Sequence, residues 1–501
     1  MPGTATEHHM ATTITGTYHS TVTLVSGGTS PLTVTSTGFV DPTINGADGV
    51  FLPSAQSGVA KITNAGRIFG AYGAYGQYTG RYGGNAVQAY SAVNLSNTGT
   101  IAGGYGGTGL RDFGGSGGFG VDIDSSIAST VVNAGLIYGG YGGSSQENGG
   151  YGGIGILIDS PDAQLSNSGT ISGGAGGQAD SLSGGGGGDG VALIGGTSMQ
   201  NTGTIAGGAG GSSYAYNAGR GGFGAVLYGA MLTNKGKIIG GKGGTSDRGH
   251  AGNGWYGVGI DGGTLINAGT ISGGAGGAGY YGAGATGGAV YLFGSVASTL
   301  VVDPGAVFIG DVDANSSTGK PVDVLELAGT SSVALAGIGT QFYGFGTISF
   351  AAGAAWKIEG TAEGLTTGEK ISGFGKADKI EITDAAASGK VSVKKAGVVT
   401  IKAGGDIYEL DIAGAKKGET DFKFSNHTLT KTGSPKMAFL PPPAATAPDE
   451  SLPALHEVAP APAKPETGGW IIQARPHVAP LPDLTHIPHG AVQTIVTLQS
   501  G

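Results

Sequence analysis

The chain predicts an all-β fold: a right-handed parallel β-helix solenoid with Gly-rich loops, then a smaller β module and a Pro-rich tail. Three observations predict it. Asn followed two residues later by Gly recurs at Asn64, Asn97, Asn133, Asn167, Asn201, Asn234 and Asn267, at spacings of 33 to 36 residues. A repeat that regular marks a solenoid. Within a unit the apolar residues come in short β-rich bursts, such as Val258 to Ile260, Thr264 to Ile266 and Thr270 to Ile271, without sustained helical spacing. Glycine, at 107 of 501 residues, is the compositional outlier, and it gathers in one loop per unit.

Taken in order, Met1 to Met10 show neither the basic segment nor the apolar core of a secretory signal. Residues 1–29 read as a lead-in. Leu32 to Gly38 reads as a degenerate unit, with Ser36 in the Asn place and Val40 in the Ile place.

The solenoid is expected over 30–310. Two residues before each repeat Asn sits an apolar side chain (Ile62, Leu95, Val131, Leu165, Met199, Leu232, Leu265), and four after it sits Ile (Ile68, Ile101, Ile137, Ile171, Ile205, Ile238, Ile271). These point inward as apolar ladders between coils about 4.8 Å apart. About nine coils then make a stack roughly 40 Å long. The Asn is expected at an inward turn, bonded to its own coil and stacked on its neighbours, a structural task rather than a catalytic one. The Gly two residues later is expected to supply positive φ. Leu300 to Gly305 closes the array as a last degenerate unit, with Asp303 in the Asn place, 36 residues after Asn267.

Each unit also carries a Gly-rich loop, as at Gly103-Gly104-Tyr105-Gly106-Gly107, whose repeated register predicts stacking. Twelve of the 19 tyrosines fall in these loops: Tyr72, Tyr75, Tyr78, Tyr82, Tyr105, Tyr141, Tyr151, Tyr214, Tyr216, Tyr256, Tyr280 and Tyr281. On one side of a solenoid they form a ridge that stacks on sugar rings or grips a partner surface. The alternative is that they pack over glycine and stiffen the loops.

Composition changes near 310. Residues 311–432 gather lysine and alternate, as in Lys379-Ile380-Glu381-Ile382, which predicts a β module with one wet face that continues or caps the solenoid. Residues 433–501 hold 13 of the 20 prolines and read as an extended, disordered linker, an export signal or an attachment.

The Asn-x-Gly-Thr-Ile-x-Gly-Gly units resemble the passenger regions of bacterial autotransporter adhesins and haemagglutinin-like surface proteins. Phe342-Tyr343-Gly344-Phe345-Gly346-Thr347-Ile348, with Gly353-Ala354-Ala355-Trp356 after it, resembles the coil that closes such passengers. Ile371-Ser372-Gly373-Phe374 and Asp378 to Ile382 resemble a module that follows it in alphaproteobacterial members. The resemblance covers about residues 30 to 432 and implies a surface adhesin. The residues after 432 are too few for the translocator barrel of roughly a dozen strands that this class carries.

Chemistry is sparse. A net charge of −9 without a basic stripe excludes a nucleic-acid partner, and zero cysteines exclude disulfides and thiolate metal sites. No apolar run is long enough for a transmembrane helix. Asp189 in its glycine run formally fits a Ca²⁺ nonapeptide, but once, where tandem copies are needed. Asp311 to Asn315 starts like a Ca²⁺ loop but lacks the later Gly and Glu. Asp122, Asp124, Asp159 and Asp162 form the one carboxylate set on adjacent coils suited to glycosidic acid/base work, with Arg111 the nearest cation. No cofactor, metal or catalytic residue is assigned. The expectation is a non-enzymatic extracellular or cell-surface adhesin that binds glycan or cells through the Gly/Tyr loops and is exported without a recognisable N-terminal signal. The alternatives are a self-associating matrix or filament component and a polysaccharide lyase or hydrolase.

Overall fold

A computed structural model describes residues 12–24, 31–54, 58–314, 321–366 and 368–432. The expectations for Met1 to Met10 and for the tail 433–501 lie outside the described residues. Among those described, the one helix is Ala362–Thr366, too short and polar to cross a membrane; everything else regular is strand.

Each repeat contributes three short strands. In the repeat of Asn267 they are Val258–Asp261, Thr264–Asn267 and Thr270–Ser272. They pair in parallel with Ala225–Tyr228, Met231–Asn234 and Lys237–Ile239 of the preceding repeat. The third-strand series makes a 10-stranded parallel sheet, and the other two series belong to a 32-stranded sheet, a parallel β-helix-like arrangement. Side chains alternate between faces, so Leu265 and Asn267 are buried while Thr264 and Ile266 are only partly so. All seven repeat isoleucines, Ile68 to Ile271, have no exposed surface. Burying each contributes about 1.5–3 kcal/mol over leaving it in water. Exchanging one for a charge would break the ladder on both sides.

Two expectations about the repeat need correction. Pairing sets Val34 opposite Asn64 and Val302 opposite Asn267, so buried valines, not Ser36 or Asp303, hold the Asn place in the end units. In the first unit the turn is two residues longer: Val34 aligns with Asn64, yet Phe39 aligns with Arg67. The repeat glycines are also not there for φ. None of Gly66, Gly99, Gly135, Gly169, Gly203, Gly236 and Gly269 has positive φ. A Cβ on Gly99 would collide with the Gly66 carbonyl oxygen, and one on Gly135 with that of Gly99. Close approach of the neighbouring turn is the reason for glycine.

The Gly-rich loops stack as an out-and-back slab. On the outgoing leg, Gly103 and Gly106 donate to the Tyr138 and Tyr141 carbonyls of the next repeat at 3.0 and 2.8 Å. Gly104 and Gly107 donate across to the Gly84 and Arg81 carbonyls on the return leg of the preceding repeat, both at 2.8 Å. The return leg answers in kind: Gly115 and Gly118 donate to Gly107 and Gly104 at 2.8 Å. Two residues in three therefore face hydrogen-bonded backbone, and the third, such as Tyr105, faces outward. This period of three, without bonds inside the segment, is that of a polyproline II strand. The inner positions exclude a side chain: a Cβ on Gly103, Gly106 or Gly115 would strike a carbonyl of the facing leg or the adjacent repeat.

Parallel pairing runs past the repeats, through Val324–Leu327, Thr347–Phe350 and Lys370–Ser372. It then gives way to an antiparallel group, Ser388–Lys395, Val398–Ala403, Asp406–Ile412, Phe422–Ser425 and Thr428–Lys431. Trp356 anchors the transition: it is buried, its Nε1–H donates to the Ala328 carbonyl at 2.7 Å, and its backbone N–H donates to Asp378 at 3.1 Å. The 10-stranded sheet ends earlier, at Val307–Ile309. There the Gln341 amide donates to the Phe308 and Gly310 carbonyls at 3.1 and 3.0 Å, occupying acceptors that a further strand would use.

Candidate functional site: an aromatic groove

Near its first repeats the slab meets the 10-stranded sheet at a narrow groove. Its sheet wall carries Phe69 and Tyr138, the outward residues that follow the repeat isoleucines Ile68 and Ile137. Its slab wall carries Tyr72, Tyr105 and Tyr141, the third residues of successive outgoing legs. Because the legs are hydrogen-bonded in register, these rings fall into a row. Tyr72 and Tyr105 have centroids 5.1 Å apart and are tilted; Tyr105 and Tyr141 are stacked at 4.8 Å. A cleft of about 50 Å³ opens beside them, bounded by Asp41, Pro42, Phe69, Tyr72, Tyr105 and Tyr138. Partial burial, then the neighbouring phenols, pushes the Tyr105 hydroxyl above its usual pKa. Tyr138 is raised by burial, Tyr141 and Tyr72, with Arg67 opposing. The Tyr105 and Tyr138 phenols thus stay neutral at ordinary pH, able both to donate and to accept a hydrogen bond. No family model, curated protein or solved structure matches this chain.

The twelve loop tyrosines do not share one surface. Tyr82 and Tyr151 stand on return legs, in the other layer of the slab, both about half exposed. Tyr75, Tyr78, Tyr214, Tyr216, Tyr280 and Tyr281 lie toward the loop tips and are all exposed. There Arg111 lies 5.8 Å over Tyr78, Arg248 lies 4.7 Å over Tyr214, and Tyr281 sits between His250 and Tyr280, each at 5.1 Å. Tyr256 is set apart: it is only partly exposed, stacks on Tyr291 at 5.0 Å and contacts Trp255 and Phe223. Burial, followed by Asp313, Tyr291 and Asp311, pushes its phenol up to about 12.

The seven repeat asparagines form one hydrogen-bonded chain. Each Nδ2 donates to the next Oδ1 at 2.8 Å, from Asn64 through Asn97, Asn133, Asn167, Asn201 and Asn234 to Asn267. Several also bond the glycine of their own turn: Asn64, Asn133, Asn234 and Asn267 accept from Gly66, Gly135, Gly236 and Gly269 at 3.2 Å. All seven are buried, so the chain belongs to the interior and touches no ligand surface.

The carboxylates divide. Asp124 and Asp159 are register partners on adjacent strands and exposed, Asp122 is half-buried between Gln88 and Leu157, and Asp162 sits in a turn with φ of 53°. Arg111, the nearest cation in the sequence, is at a loop tip over Tyr78. Asp189 accepts the Phe223 backbone N–H at 2.7 Å, a bond that ties one repeat to the next. Among the described residues no group of three or more His, Asp or Glu has the arrangement to hold a metal ion; Asn315 lies outside them. Sequence reasoning missed Phe69 and Tyr138. Their signal was present, since the position after each repeat Ile is outward-facing, but nothing in the sequence shows that the loop folds back over it.

Proposed function

We propose that the chain is a right-handed parallel β-helix of the extracellular, passenger-like adhesin kind, and that it binds glycan in the groove of Phe69, Tyr72, Tyr105, Tyr138 and Tyr141. One observation carries the reading: three tyrosines of consecutive repeats stand in a row at 5.1 and 4.8 Å on a scaffold of hydrogen-bonded glycine legs. Stacked on one another, the rings leave their edges and hydroxyls for a ligand, and phenol hydroxyls bond sugar hydroxyls. Because the legs are fixed before binding, little side-chain and loop entropy remains to be lost.

The test is co-sedimentation of the full chain with a panel of insoluble polysaccharides and bacterial cells, beside the variant Tyr72→Ala/Tyr105→Ala/Tyr141→Ala. Capture by at least one surface, lost in the variant while its melting curve is kept, supports the groove. Capture unchanged in the variant, or no capture by any surface, rejects it.

A further inference from the structure

The cleft beside the tyrosine row is built by register. Phe69, Ala102 and Tyr138 are partners on three successive strands, and all three point away from the core. Val40 pairs with Ile68 and is buried, and the ladder runs one residue further, with the Asp41 N–H on the Tyr18 carbonyl at 2.9 Å. Asp41 therefore stands at the head of the same outward row, ahead of Phe69. The row reads acid, ring, methyl, ring. The strands of Phe69 and Tyr138 lie about 9.5 Å apart, with only the Ala102 methyl between them. Tyr72 and Tyr105 close the slot from the slab side.

Size narrows what enters. The cleft measures about 50 Å³. A cavity of about 150 Å³ takes a benzene ring, so this one takes about three or four heavy atoms. A pyranose ring stays outside, and a substituent on it goes in. The walls narrow the choice further. Phe69 and the Ala102 methyl favour an apolar end over a hydroxyl. The neutral Tyr105 and Tyr138 phenols offer donors to an acceptor. Asp41 is the acid among the lining residues. Its backbone carbonyl takes the His19 ring at 3.3 Å, and among the described residues nothing donates to its carboxylate. That carboxylate favours an N–H or O–H and repels an anion. A hydroxymethyl group lacks the apolar end, and a uronate carries the wrong charge. An acetamido group has a methyl, a carbonyl and an N–H in one flat unit of the right size.

Building on the glycan reading of this groove, we propose that the cleft over Ala102 takes the acetamido substituent of an N-acetylated sugar. The methyl lies against Phe69 and Ala102, the carbonyl accepts from a phenol hydroxyl, and the N–H donates to Asp41. The sugar ring rests outside, on the edges of Tyr72 and Tyr105.

Chitin and cellulose share a backbone and differ in this substituent. Calorimetric titration of the full chain with soluble oligomers of each, equal in length, therefore tests the proposal. The acetylated oligomer is expected to bind at least about tenfold more tightly. Ala102→Leu fills the cleft at a position whose register neighbours are already large, and is expected to weaken that binding about tenfold or more while the melting temperature holds. Asp41→Ala removes the acceptor and is expected to weaken it by a similar factor; it decides alone if Ala102→Leu melts early. Equal affinity for the two oligomers, or full affinity in both variants, overturns the assignment. If the acetylated oligomer does not bind, yet another polysaccharide is captured by the parent and lost in Tyr72→Ala/Tyr105→Ala/Tyr141→Ala, the acetamido assignment falls and the groove reading stands. If that triple variant captures every surface as the parent does, the groove reading falls and takes the assignment with it.

Discussion

Asn97 donates through Nδ2 to the Oδ1 of Asn133 at 2.8 Å, while the same amide group reaches the carbonyls of Gly99 and Leu136, each at 3.3 Å. One side chain thus joins its own turn to the next. Asn133→Ala leaves the amides of Asn97 and Asn167 each short of a partner in a dry interior. We expect a loss of about 2–4 kcal/mol, since each orphaned group costs about 1–3 kcal/mol. Denaturant unfolding, with hydrogen exchange to locate the opening, is the check. A loss below about 0.5 kcal/mol would show that the chain of amides is dispensable.

The slab glycines make a sharper contrast. A Cβ on Gly115 would collide with the Arg81 carbonyl, whereas one on Gly16 meets nothing within 4 Å, and Gly16 has no positive φ. Gly115→Ala is expected to destabilise by more than about 2 kcal/mol and to speed amide exchange in the adjoining legs. Gly16→Ala is expected to stay within about 0.5 kcal/mol of the parent. Equal effects at the two sites would refute the packing argument.

Asp189 gives a prediction in pH. Burial, partly offset by the Phe223 N–H and by Arg220, pushes its carboxyl up to about 6, above the ordinary carboxylate range. The folded state then holds a proton that the unfolded chain has already released. Stability therefore falls as pH rises from about 4 to 6 and levels off above. Asp189→Asn keeps the Oδ1 acceptor for Phe223 and removes the ionisation. At pH near 8 it should be more stable than the parent by on the order of 1–2 kcal/mol, allowing for the partial exposure of the side chain. Melting temperatures of both proteins across that range decide it; parallel curves would mean that Asp189 ionises as freely folded as unfolded.

Gln341 guards an edge. Gln341→Ala frees the Phe308 and Gly310 carbonyls beside the exposed side chains Val307 and Ile309. Light scattering at rising concentration is expected to show more self-association in the variant than in the parent. If the parent itself forms long assemblies and the variant does not differ, the amide is not what blocks the edge.

The parallel β architecture was legible because strand signals have a period of two and repeat signals a period of 33 to 36, and both survive in one sequence. What pairing alone decides was not legible. Ser36 and Asp303 resemble Asn chemically, yet Val34 and Val302 occupy its place, since register follows the inward-facing strand and not the spelling of the turn. The repeat glycines looked like turn residues, but their constraint is a carbonyl of the neighbouring repeat, far away in sequence. The groove was hidden for the same reason. Tyr105 and Tyr138 become neighbours only when the glycine leg of one repeat lies against the strand of the next.

The chain of asparagines has a direction. Every Nδ2 points toward the following repeat, so the amide dipoles add head to tail along the stack, beginning at Asn64 next to Val34 and ending at Asn267 next to Val302. Each link repeats the one before it, and only the two valines mark where the series starts and stops. A whole repeat inserted between them or removed from them leaves every remaining bond with an equivalent partner. Length is thus a variable that duplication or deletion of a gene segment can change without redesigning the interior, and the reach of whatever the surface presents changes with it.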